Sequence, residues 1–168
     1  MDSENEKSKF IQLIEENKRI IYKICQSYCP DKNDREDLAQ EIIYNLWKSG
    51  RQFNSEYKFS TWMYRVALNV AISFYRKEKT KTAAVPIDEV LHLADKNHEN
   101  TEADEKIKLL QTFINELKAL DKALMLLYLE GRPYIEIAEI LGITETNVAT
   151  KINRIKNNLK EKFTDIKN

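Results

Sequence analysis

The sequence predicts an all-α fold of two small helical domains joined by a flexible linker, the C-terminal one carrying a helix-turn-helix. Three observations point there. The 168 residues hold only three Gly and three Pro, little turn material for a β-rich fold. Apolar residues recur at helical spacing, and alternating Val/Ile/Thr runs are missing. Charge also divides the chain: residues 1–80 carry 14 basic and 12 acidic groups, residues 81–104 carry 2 and 6, and residues 105–168 carry 11 and 9. The expected domains are therefore residues 1–80 and 105–168, with 81–104 as an acidic linker long enough to let them sit tens of ångströms apart.

A first helix is expected from Ser8 to Tyr28, with Phe10, Leu13, Ile14, Ile21, Ile24 and Tyr28 inward, ended by Pro30 and the polar stretch after it. Asp34 can cap a second helix over Arg35 to Lys48. Its wheel divides into Leu38, Ala39, Ile42, Ile43, Leu46 and Trp47 on one half and Asp37, Gln40, Glu41, Tyr44, Asn45 and Lys48 on the other. Gly50 to Phe59 reads as an aromatic and basic loop, and Ser60 can cap a third helix to about Lys79.

That third helix turns Met63, Val66, Ala67, Val70 and Phe74 inward and sets Arg65, Asn69 and Arg76 in a row opposite them. Half of the chain's 16 aromatic residues fall between Trp47 and Tyr75, so the row lies beneath a ring-rich loop. Such an arrangement suits single-stranded DNA, because bases stack on rings, guanidinium groups neutralise phosphates and an amide can read an exposed base edge. The plain alternatives are a ring-filled core, favoured for Trp47, Phe59 and Phe74, and a solvated helix face for Arg65 with Asn69.

From Thr80 to Asp104 helical periodicity fades, and it resumes near Glu105 with Leu109, Leu110, Phe113, Ile114 and Leu117. Asp121 can cap a helix that ends at Gly131. Residues Arg132 to Phe163 then read as a short helix, a glycine turn and a long basic helix, with Pro133 at the first helical position, Gly142 in the turn and Thr144 as the second cap. Val148, Ile152, Ile155, Leu159 and Phe163 share one face of the long helix. Thr146, Asn147, Thr150, Asn153, Arg154 and Asn157 point the other way. Asn and Arg can read adenine and guanine edges in a major groove, and the flanking Lys151, Lys156, Lys160 and Lys162 can reach phosphates. The bland reading of the same pattern is an amphipathic hairpin with a solvated face.

Several classes fall away. Net charge is zero, so the molecule lacks the basic field of a nonspecific nucleic-acid coat. Cys25 and Cys29 have no Cys/His quartet around them, which argues against zinc and for small buried residues in a reducing cytosol. His92 and His98 lie in the acidic break and receive no role. No nucleophile–base pair, metal cluster or phosphate-binding glycine loop marks an enzyme, and no metal or cofactor is expected. No apolar run approaches a membrane span and the polar start is unlike a signal peptide, so a cytoplasmic protein is expected.

Two stretches, DREDLAQEIIYNLWKS (34–49) followed by FSTWMYRVALNVAISFYRKEK (59–79), and YLEGRPYIEIAEILGITETNVATKINRIKNNLKEKF (128–163), resemble the extracytoplasmic-function sigma factors, small members of the sigma-seventy family that direct bacterial RNA polymerase to promoters. The resemblance implies a region-2-type domain over residues 1–80 and a region-4-type domain over 105–168. It implies that Asp37, Gln40 and Glu41 bind the clamp helices of the core polymerase's largest subunit, and that Trp62, Arg65 and Asn69 meet the melted minus-ten element. Thr150 and Arg154, with the outward Asn147 and Asn153 and the flanking Lys151, would meet the minus-thirty-five element. An anti-sigma protein is implied as a further partner. Ala149 stands where many members have a basic residue and Ser73 where an acid is frequent, so the promoter sequence does not transfer from relatives. A stand-alone helix-turn-helix regulator remains the alternative, although the 37–41 patch and the aromatic loop have no task in it.

Overall fold

The structure, a computed structural model, describes residues 4–81 and 101–167. Every regular element among them is helical: α1 (Glu4–Glu16), α2 (Lys18–Tyr28), α3 (Lys32–Ser49), a 3-10 turn over Gly50–Gln52, α4 (Phe59–Lys81), α5 (Glu102–Glu116), α6 (Ala119–Leu129), α7 (Tyr134–Leu141) and α8 (Glu145–Lys167). Most of the expected linker, with His92 and His98, lies outside the described residues.

Local chemistry explains the boundaries, including those that differ from expectation. The expected first helix is two, because the Asn17 amide donates to the Leu13 carbonyl at 2.8 Å and diverts the backbone ladder there. The second expected helix begins earlier, at Lys32, which leaves Asp34 inside the first turn as a favourable charge and not a cap. Ser60 likewise sits inside α4, which starts at Phe59. In the second half, Thr101 and Asp104 form a reciprocal capping box that starts α5 at Glu102, so the ordered domain reaches into the residues expected to be linker. Asp121 is a first-turn residue of α6, whose N-cap position is Lys118. The helix-turn-helix follows expectation closely, except that Pro133 is the extended N-cap of α7 and Tyr134 its first helical residue. Gly142 takes φ 69° after α7, and the Thr144 hydroxyl accepts from the Asn147 N–H at 3.1 Å to open α8.

Helices α1 to α4 form one module and α5 to α8 another, but the two are not held apart. Ile24, Leu38, Ile42, Leu46 and Met63 of the first and Leu124, Leu127, Ile137, Ile140 and Ile152 of the second belong to one continuous buried cluster. Helix α4 explains how. Its buried face is Met63, Tyr64, Ala67, Leu68 and Ala71, wider than the stripe expected from sequence, while Val66, Val70 and Phe74 are only half-buried. It packs on α2 and α3 as well as on α6 and α7, so both modules share it as a wall.

An aromatic cluster fastens the 50–59 loop to the first module. The Trp62 ring lies 5.9 Å from Phe10, 5.3 Å from Phe53 and 5.5 Å from Phe59, mostly in tilted or edge-on geometry. Gly50 makes this possible, because a Cβ there would come within 2.8 Å of the Phe10 ring.

Candidate nucleic-acid interface

On α4 the outward row is present. Arg65, Asn69 and Arg76 are exposed, with the buried stripe on the other side of the helix. Trp62, one position removed, is half-buried with much of its ring spent on Phe10, Phe53 and Phe59. Of the loop's rings, Tyr57 stands free to solvent at 59 % exposure. A strand laid along this face of α4 would meet the half-buried Trp62 ring with the guanidinium of Arg65 and the amide of Asn69 beside it.

On α8 the helix-turn-helix presents Asn147, Thr150, Asn153 and Arg154 exposed and Lys151 half-buried, above Val148, Ile152 and Ile155, which are buried. The Thr150 hydroxyl donates to the Thr146 carbonyl at 3.0 Å, which leaves its oxygen as an acceptor. Arg154 is not loose: its Nη2 lies 3.3 Å from Asp121 Oδ2 at the start of α6. The sequence showed both residues but not their pairing, because 33 positions separate them. Two lysines expected to reach phosphates are engaged inside the module, Lys162 with Glu116 at 2.7 Å and Lys156 over the Tyr128 ring at 4.6 Å.

On α3 the acid–amide–acid patch is intact and exposed at Asp37, Gln40 and Glu41. Ile43 and Trp47, expected inward, are 47 % and 48 % exposed and stand beside Tyr44 at 62 %. The helix buries Leu38, Ile42 and Leu46 alone, so its inner stripe is narrow and the flanking apolar residues are left over. Apolar residues bordered by charged and amide groups are the composition of a protein-binding face.

Neither cysteine is a reactive site. Cys25 and Cys29 are buried, and burial pushes their thiols up to about 11 and about 12. Among the described residues no group of three His, Cys, Asp or Glu is placed to hold a metal, and no helix is long and apolar enough to cross a membrane.

The division of the chain into the module of α1 to α4 and the helix-turn-helix module corresponds to two family profiles, sigma-70 region 2 over residues 13–81 and sigma-70 region 4 over residues 107–159. The chain belongs to the sigma-70 family. Relatives place it in the extracytoplasmic-function group. The chain is 29% identical to the ECF RNA polymerase sigma factor SigW of Bacillus subtilis over 94% of this chain and 90% of that protein. It is 28% identical to the RNA polymerase sigma factor SigV of the same organism over 88% and 87%. Among solved structures, CnrH in complex with the cytosolic domain of CnrY matches with TM-score 0.66 at 17% identity, over 95% of this chain and 90% of that one. RpoE of Bartonella quintana, solved with the anti-sigma factor NepR, matches with TM-score 0.65 at 18% identity over 95% and 96%. These likenesses establish the fold of the sigma factor.

Proposed function

We propose that this RNA polymerase sigma factor docks on the core enzyme through α3, with Asp37, Gln40 and Glu41 meeting basic side chains of the clamp helices and Ile43, Tyr44 and Trp47 filling the apolar part of the contact. Opposite charge at the rim speeds encounter and sets register, while burial of the exposed apolar residues supplies affinity. Arg65 and Asn69, with the half-buried Trp62 ring, hold the nontemplate strand of the minus-ten element once it is unstacked. Asn147, Thr150, Lys151, Asn153 and Arg154 enter the major groove of the minus-thirty-five element. The protein works in the cytoplasm beside the chromosome, contributes no chemistry of its own and answers to an anti-sigma protein.

The observation that carries this reading is the simultaneous exposure of three polar faces, on α3, α4 and α8, whose opposite sides are all buried. A stand-alone regulator would use only the last. The deciding experiment is run-off transcription with purified core polymerase on promoters mapped after overproduction: specific transcripts are expected, and none above core enzyme alone would refute the reading. Gln40→Ala with Glu41→Ala is expected to weaken capture of core polymerase in a pull-down; unchanged capture would remove α3 from the interface. Arg154→Ala in the holoenzyme is expected to cost about 1–3 kcal/mol at the upstream element, seen as relaxed preference at one base pair.

A further inference from the structure

The exposed face of α8 is poor in charge. Ala149 contributes none, and of Asn147, Thr150, Asn153 and Arg154 only Arg154 is a cation. Where its guanidinium rests therefore matters more than on a helix with several. A long, flexible arginine on such a face has two destinations in a major groove: a guanine edge, which carries sequence information, and a backbone phosphate, which carries none. The phosphate offers the larger charge, so an unrestrained side chain is drawn toward the contact that does not discriminate.

Asp121 restrains it. Arg154 Nη2 donates to Asp121 Oδ2 at 3.3 Å, and the acid is 14% exposed against 56% for the arginine, so the carboxylate is seated in the module while most of the guanidinium stays in solvent. Asp121 stands in the first turn of α6, where the helix N-terminus favours its negative charge. The register is fixed from below, because Met125, one turn along α6, and Ile155, next to Arg154, are buried in one small cluster with Phe113. Lys118 and Lys151 line the same cleft, yet the ion pair goes to Arg154. Both partners belong to the second module, so their pairing does not depend on the seam between the modules, where Lys23 and Tyr64 of the first donate to Glu130 of the second. For stability, a pair this open is worth little. Its effect is on aim: one edge of the guanidinium is held, the remaining N–H donors keep their fork geometry, and the carboxylate repels a competing phosphate. Taking the upstream-element reading of α8 as given, we propose that Asp121 is a positioning residue for base selection, holding Arg154 toward a guanine edge and away from phosphates, which raises specificity while lowering general affinity for duplex DNA.

The test uses the holoenzyme on a mapped promoter, with each base pair of the upstream element substituted in turn and binding followed against salt concentration. Asp121→Asn keeps the shape of the side chain and removes its charge. It is expected to lower discrimination at the base pair that Arg154 reads by about fivefold. Affinity for an unrelated duplex is expected to rise by about twofold, and the salt dependence to steepen by about one phosphate contact. A residue that only supports the fold would instead move every sequence down together. In the Arg154→Ala background, Asp121→Asn is expected to leave discrimination at that base pair where Arg154→Ala alone puts it. Asp121→Ser, which keeps a hydrogen-bonding group in the first turn of α6, repeats the comparison if the amide variant unfolds. Parent-like discrimination and salt slope without the carboxylate, or an equal loss of affinity on every sequence, overturns the proposal. If Arg154→Ala itself changes no base preference, the reading of α8 fails, and the role of Asp121 with it.

Discussion

Lys122 shows how a single side chain reports on the seam. It is 3% exposed, packed over the rings of Tyr28 at 5.3 Å and Tyr75 at 4.7 Å. Burial, and after it the Lys79 ammonium, push its pKa down from 10.5 to about 8, with Cys29 acting weakly in the other direction. Between these values the unfolded chain holds a proton that the folded chain has released, so stability rises as pH climbs through 8. The buried thiols act oppositely from about pH 8 upward, because the unfolded chain ionises them first, around 9.0. Between pH 8 and 9 the lysine adds about 1 kcal/mol and the two thiols remove roughly 0.7, so only a shallow net rise is expected in urea titrations. Lys122→Met is expected to flatten that rise; an unaltered pH profile in the variant would show that the lysine is not the group responsible.

At the scale of elements, the helix-turn-helix was legible almost residue by residue, because its signals are local. Gly142 must adopt φ 69°, and a Cβ there would meet nothing within 4 Å. Gly142→Ala is thus a test of backbone conformation alone, expected to cost about 1–2 kcal/mol in chemical denaturation while leaving the exposed polar face of α8 in place. A neutral result would mean that the turn relaxes to another geometry. The N-terminal helices were less legible. Nothing in periodicity distinguishes a continuous helix from two helices broken at Asn17, since the break is made by one amide finding the Leu13 carbonyl. The partition of α3 is hidden from periodicity for a related reason. A helical wheel shows which residues are apolar, but only the width of the neighbouring helices decides that Leu38, Ile42 and Leu46 are covered and Ile43 and Trp47 are not.

For the whole molecule, sharing α4 as a common wall couples the stability of the two modules. A single cooperative transition is expected for the full chain in calorimetry, with van't Hoff and calorimetric enthalpies in agreement. Lys23→Ala with Tyr64→Phe is expected to split it into two, because each module keeps its own inner faces while the polar seam weakens. Two well-separated transitions in the parent would place the modules apart in solution.

The sequence by itself determined the helical class, the division into two modules, the helix-turn-helix and the polar faces of α3, α4 and α8, because each is written in spacing, caps and turn residues within a few positions of one another. Tertiary structure alone decided that Tyr64 reaches the second module, that Asp121 holds Arg154, and that Glu130 of the second module receives Lys23 and Tyr64 of the first. Those pairings link side chains 33 to 107 positions apart, and no local propensity encodes which of many exposed carboxylates a distant lysine or tyrosine will find.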